Sequence, residues 1–264
     1  KVKLHVPAGQ LSESVALEIE LPDIDKAMAC ELTFTIENSD YQNKYPLWIY
    51  PHLPEIPQTK ASVKTFSRMD DELLSWLQAG GRALLMPDAG AYPEQTLGGM
   101  FSSDYWNYSM FKGISERAKK PISPGTMGLL IQKEHPIFHN FPTETHSNWQ
   151  WWSVVKNSNP LILNNLLGKL QPIVETIDNI ERVHFTGLIF ECQVGKGRLL
   201  VCMSDLKNTL NYNENKQLYA SIIDYINSDD FNPTDRIDIE ELKALFTLKS
   251  NTEYIQGVRN VTYD

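Results

Sequence analysis

His135, His139, Glu144 and His146 fall within a stretch of twelve residues. A metal site needs neutral imidazoles and carboxylates converging on one point, with further groups to orient them. His135 and His139 have the i, i+4 spacing of one helix face, but Pro136 between them disfavours a helix longer than one turn. The preferred reading is therefore hydrogen-bonded histidines in a proline-braced loop, and no metal is expected. The same stretch ends in Asn148-Trp149-Gln150-Trp151-Trp152, the densest aromatic run in the chain. Exposed indoles beside amides and imidazole suit a sugar platform: flat apolar faces for C–H groups, polar groups for hydroxyls. In an extended segment Trp149 and Trp151 would share one face and Trp152 the other. Core packing or a brace between domains is the preferred role for His146, Asn148, Trp149, Gln150, Trp151 and Trp152. A carbohydrate contact is the alternative.

Two catalytic arrangements lack a required partner. A thiol nucleophile of the amidotransferase kind sits on a tight strand-to-helix turn, served by histidine and a carboxylate. The strand over Arg82–Met86 runs instead into Asp88-Ala89-Gly90, with no thiol. The three cysteines, Cys30, Cys192 and Cys202, have neither zinc-site spacing nor a disulfide framework. Cys192 and Cys202 lie in apolar strand-like runs, as buried free thiols do; whether they pair across a hairpin stays open. Glycoside hydrolysis needs two carboxyls about 5 Å apart for a retaining site. Asn213-Glu214 echoes an acid/base dipeptide, but its polar setting ahead of a helix reads as a cap or solvated turn. No catalytic residue and no cofactor is assigned.

The elements that would position these residues change character along the chain. Residues 1–52 predict strands. Val15–Leu21 and Glu31–Glu37 alternate apolar and polar residues, Pro22-Asp23 marks a turn, and Tyr45–Pro51 is an aromatic run bounded by prolines, as on an edge strand. Three or four strands with one greasy face make part of a β-sandwich. Residues 51–60 carry three prolines and no periodicity, and the domain boundary is placed there. Beyond it, a strand over Ala61–Phe66, a helix opened by Asp70 and Asp71 with Leu73, Leu74 and Leu77 on one face, Gly80-Gly81 and the strand Arg82–Met86 make a βαβ unit. A parallel pair with a right-handed crossover is expected. Residues 88–124 predict a long irregular insertion with five aromatics between Phe101 and Phe111. Strands follow over Met127–Ile131, Pro172–Asp178, Phe185–Cys192 and Arg198–Met203, the last two joined at Val194-Gly-Lys-Gly as a hairpin. Asn215–Ile226 is an amphipathic helix, Ile237–Leu245 a further one, and the last nineteen residues form no evident element.

The chain has 264 residues and a net charge of −9. Its one dense basic cluster, Arg117, Lys119 and Lys120, is too small for phosphate neutralisation, so nucleic acid is not expected as a partner. No apolar run reaches the roughly 20 residues that span a bilayer. The chain opens at Lys1 without methionine and is read as a piece of a longer protein.

The combination Tyr45-Pro-Leu-Trp-Ile-Tyr-Pro, Gly125-Thr-Met-Gly-Leu-Leu, His135-Pro-Ile-Phe, Phe141-Pro-Thr-Glu, His146-Ser-Asn-Trp-Gln-Trp-Trp, Pro172-Ile-Val-Glu-Thr-Ile-Asp, Gly187-Leu-Ile-Phe-Glu, Val194-Gly-Lys-Gly-Arg-Leu-Leu-Val-Cys and Ser204-Asp-Leu resembles the C-terminal region of bacterial glycoside hydrolase family 2 proteins. These are the beta-galactosidase-like proteins of Bacteroides-type bacteria. The resemblance covers roughly residues 1–235. It implies an α/β fold: a three-layer, flavodoxin-like or glutamine-amidotransferase-like domain with a mostly parallel sheet over 53–234. A partial β-sandwich over 1–52 precedes it, and a C-terminal helix and tail over 235–264 follow. It further implies a non-catalytic accessory module in carbohydrate metabolism, located in the periplasm or at the cell surface. The implied partners are the parent's catalytic domain, a further copy of the chain, or an oligo- or polysaccharide. The family's catalytic glutamates have no matching positions here.

Overall fold

The computed structural model describes residues 9, 16, 18–53, 55–99 and 105–250. In chain order the strands and helices are β1 (Met28–Thr35), β2 (Gln42–Ile49), β3 (Val63–Phe66), α1 (Asp71–Gln78), β4 (Arg82–Leu85), α2 (Tyr108–Arg117), β5 (Gly128–Ile131), α3 (Trp152–Lys156), β6 (Leu161–Ile162), β7 (Val174–Ile177), β8 (Thr186–Gly187), β9 (Ile189–Val194), β10 (Gly197–Cys202), α4 (Asn213–Asn227), β11 (Arg236–Ile237) and α5 (Ile239–Thr247).

The expected βαβ unit forms. Asp70 caps α1, its carboxylate accepting from the Leu73 amide at 3.0 Å. The 3- and 4-residue spacing buries Leu73, Leu74 and Leu77. Gly80, at φ +93°, adopts a left-handed conformation that a side chain would disfavour. β4 then returns parallel to β3, Val63 opposite Arg82. β3 and β4 open a seven-stranded sheet of order β3-β4-β10-β9-β7-β5, with β11 added beside β9. The architecture is mixed α/β. The β3/β4, β4/β10 and β9/β11 pairs are parallel, whereas β10/β9, β9/β7 and β7/β5 are antiparallel. The sheet is thus mixed rather than mostly parallel. The physical reason is local: a two-residue turn through Gly195 and Lys196 leaves β9 and β10 no choice but antiparallel pairing. The core runs along this sheet and is closed by Leu218, Ile222, Ile223 and Ile226 of α4 and by Phe231.

Three other stretches bear on the remaining expectations, and the helix expected over Ile237–Leu245 is present as α5. Among the described residues of 1–52 there are two paired strands; the further strand expected at Val15–Leu21 falls largely outside them. β1 and β2 form an antiparallel hairpin with Met28 opposite Ile49. Residues 18–21 carry no regular secondary structure. Alternation marks a half-buried surface, but a strand also needs a neighbour for its amides. The insertion at 88–124 is not wholly irregular, because α2 runs through it. Phe101, Asp104 and the residues between them lie outside the described part. Residues 236–247 are built into the main core: β11 pairs with β9, and Leu242, Leu245 and Phe246 of α5 are buried. A two-residue strand is too short to leave a period in the sequence. Residues 251–264 lie outside the described part.

A buried charged network anchors α2. The Asp178 carboxylate accepts from Arg182 Nη2 at 2.6 Å and Nε at 3.1 Å, and lies 2.7 Å from His184 Nδ1. The Arg182 guanidinium sits 4.4 Å from the centre of the Tyr108 ring on α2. Glu181 accepts from both the amide and the hydroxyl of Ser109 at 2.7 Å. These contacts fix one end of a helix whose own apolar pattern is weak.

Candidate functional site

The tryptophan-rich segment is helical, not extended. Asn148 sets this locally: its Oδ1 accepts from the Gln150 amide at 2.9 Å, and its Nδ2 donates to Glu144 at 2.7 Å. A 3-10 turn over Trp149–Trp151 follows and passes directly into α3. Residues three apart share a side in such a turn. Trp149 and Trp152 therefore point outward, 50% and 51% exposed, and Trp151 points inward, fully buried. This overturns the alternation in which Trp149 and Trp151 share a face. The misleading signal was the i, i+2 spacing of two indoles; the informative one was an asparagine placed to cap.

Each side chain of the segment has a distinct task. Trp151 packs edge-on against Phe141 and Phe138, with centroids 5.5 and 6.1 Å away, and donates from Nε1 to Thr143 at 2.8 Å. Trp149 reaches the hairpin, donating from Nε1 to the Pro46 carbonyl at 2.9 Å and meeting the Trp48 ring at 5.2 Å. Gln150 is fully buried and donates from Nε2 to the Tyr50 hydroxyl at 2.9 Å and the Pro142 carbonyl at 3.0 Å. Tyr50 in turn stacks on Phe141, 6.0 Å between centroids and 9° between planes. Burial pushes the Tyr50 hydroxyl up, and the nearby Glu214 carboxylate adds to that against the Gln150 hydrogen bond. His146 is exposed, its Nε2 3.5 Å from Glu144, and the Trp152 side chain, half exposed, makes no ring contact or hydrogen bond among the described residues. Trp149, Gln150 and Trp151 thus form one junction. His146 and Trp152 face away from it.

The histidines do not converge. His135 caps a 3-10 turn at Pro136–Phe138, its Nδ1 accepting from the Ile137 amide at 3.3 Å. Its Nε2 faces Glu191 at 3.7 Å, and Glu191 also accepts from the Tyr225 hydroxyl at 2.8 Å. No set of three or more His, Cys, Asp or Glu among the described residues is placed to hold a metal ion. Cys192 and Cys202 lie on adjoining strands, opposite Leu199 and Ile189 respectively, and are free thiols. At the end of β4, Asp88 pairs with Lys207 at 2.8 Å.

Beside the junction is a feature that sequence reasoning missed. A cleft of about 790 Å³ lies between residues 21–25, the hairpin exit at 48–53 and the first turn of α4 at 213–217. Trp48 and Tyr50 line one side, Asn213, Glu214 and Gln217 another, with Asp23 and Asp25 at the rim. Lys216 donates from its ammonium to the Leu53 carbonyl. The sequence signal was the aromatic run Tyr45–Pro51, but nothing local links it to a helix some 160 residues away.

A family model described as a domain of unknown function (DUF8487) matches residues 64–247, well over half of the chain. The chain belongs to the DUF8487 family. A second model, described as a domain of unknown function (DUF8488), matches residues 2–51. No curated protein matches the chain. The DUF8487 match takes in the whole of the tryptophan-rich segment and α4, and the DUF8488 match takes in β1 and β2. The junction and the cleft are therefore formed between stretches that match two different family models.

Proposed function

We propose that this DUF8487 member is a non-catalytic accessory module of a family 2-like glycoside hydrolase. In this reading its α/β unit is a flavodoxin-like or amidotransferase-like three-layer domain. It packs on the parent's catalytic part or on another copy, in an exported protein of the periplasm or cell surface. One observation carries the proposal. Within the segment with the most distinctive resemblance, His146–Trp152, the middle residues hold two parts of the chain together: Trp151 is in the core, Trp149 is bonded to Pro46, and Gln150 is bonded to Tyr50. Such a segment works as a brace. Assay of the chain against nitrophenyl galactoside, glucoside, xyloside and mannoside is expected to give no turnover. Turnover that follows the protein through purification would sink the non-catalytic reading.

A second reading, a carbohydrate contact, is favoured by the cleft beside the brace, where two polar atoms in the wall have no partner among the described residues. In the tryptophan platform itself, Trp151 is buried and the Trp149 indole N–H is already bonded to Pro46.

A further inference from the structure

We propose that the cleft between the hairpin and the start of α4 binds a neutral, polyhydroxylated ligand, a glycan segment, through Trp48, Tyr50, Glu214 and Gln217. This rests on the carbohydrate reading above and moves its contacts from Trp149–Trp152 to the cleft.

Gln217 is the primary observation. It is 3% exposed and lines the cleft. Its Nε2 donates to the Asn140 carbonyl at 2.7 Å, which fixes the amide, while its Oε1 has no partner among the described residues. Trp48, also lining the cleft, has a buried Nε1 without a partner among them. A buried unpaired polar atom costs on the order of 1–3 kcal/mol, so such atoms call for an explanation. Here one is an acceptor and the other a donor. A ligand hydroxyl both donates and accepts, so one chemical class answers both. An ammonium ion answers only the acceptor, and a carboxylate or phosphate only the donor.

The remaining groups agree with that choice. Asp23, Asp25 and Glu214 make no ion pair among the described residues and offer carboxylate oxygens for hydroxyl pairs. Against the single ammonium of Lys216, which lines the cleft and donates to the Leu53 carbonyl, these three carboxylates leave it a net negative field. That field disfavours phosphorylated or uronic-acid ligands. Trp48 and Tyr50 supply ring surface for the apolar side of a pyranose. The volume falls within the roughly 300–1,000 Å³ of small-molecule sites.

The test is binding of cellotetraose, xylotetraose, galactotetraose and mannotetraose to this chain, followed by calorimetry, with tetragalacturonate as the acidic counterpart. At least one neutral tetrasaccharide is expected to bind, with tetragalacturonate at least tenfold weaker. Glu214→Gln keeps the shape of the wall and is expected to weaken the neutral ligand about tenfold, roughly 1.4 kcal/mol. Gln217→Leu is expected to do the same; because it also removes the hydrogen bond to the Asn140 carbonyl, binding is compared below its own melting temperature, with the fold checked by circular dichroism. Trp48→Ala should abolish binding, but it also touches the brace, so the two conservative variants decide. Trp152→Ala is expected to bind as the parent does. Loss of binding in Trp152→Ala with retention in Glu214→Gln and Gln217→Leu would overturn the cleft while leaving a carbohydrate contact on the tryptophan segment. No binding of any neutral tetrasaccharide at about 10 mM, a level at which even millimolar sites fill, would overturn both. The accessory reading fails separately, on glycoside turnover.

Discussion

Asp178 is nearly inaccessible, and its charge survives only through its neighbours. Burial alone would raise its carboxyl; the His184 hydrogen bond and the Arg182 charge outweigh burial and hold it below the usual carboxylate range. A depressed folded value means that the stabilisation is complete above the unfolded value, near 4, and is lost as pH falls through the folded one. The unfolding midpoint in urea should therefore drop as pH is lowered below about 4. Asp178→Asn should shrink that drop and, at pH 7, destabilise by roughly 3–5 kcal/mol, because it leaves Arg182 buried without its partner. An identical pH slope in the two proteins would show that Asp178 contributes nothing to it. The thiols make a second case. Burial pushes Cys202 up to about 12 and raises Cys192 as well, and both are fully buried. A thiol reagent that needs thiolate and access should label only Cys30 in the folded chain and all three in denaturant. Fast labelling of two or more in the native state would contradict the buried β9/β10 placement.

At the scale of elements, the joint between α1 and the β9/β10 turn is tight because backbone meets backbone. A Cβ on Gly197 would lie 2.6 Å from the Leu77 carbonyl oxygen and 2.8 Å from that of Gly81. Neither is a flexible side-chain end that moves aside. Gly197→Ala is expected to destabilise by about 1–3 kcal/mol through overpacking, read from the denaturant midpoint; an unchanged midpoint would mean that the end of α1 yields freely. α1 and the β9/β10 hairpin were legible in the sequence, since Asp70, the Leu73-Leu74-Leu77 spacing and Gly195 act within a few residues of themselves. The Trp149–Lys156 stretch was legible only in part. Asn148 announces a cap, yet two tryptophans at i, i+2 imitate a strand. A five-residue helix such as α3 is also too short to show a period of its own.

For the whole molecule, the decisive joint is the one between the hairpin and the α/β unit. A two-stranded hairpin is marginal alone, and here Trp149, Gln150 and Phe141 grip Pro46, Trp48 and Tyr50. Trp149→Ala is expected to speed amide exchange in β1 and β2 by about tenfold or more while leaving β9 and β10 unchanged, since local opening follows local contacts. Equal protection in β1 and β2 would assign the joint to other residues. Local chemistry in the sequence determined the βαβ start, the glycine turn between β9 and β10, the amphipathic α4 and the proline-rich 51–60. Tertiary structure alone decided the rest. It brought β11 onto β9, sorted three neighbouring tryptophans into one core residue, one brace and one solvent-facing ring, and set Gln217 and Trp48 in the wall of one cleft. The physical reason is distance along the chain. Caps, turns and helical periods act between residues one to four apart, whereas Trp149 meets Pro46 across 103 positions, and no local pattern encodes which distant surface a side chain will meet.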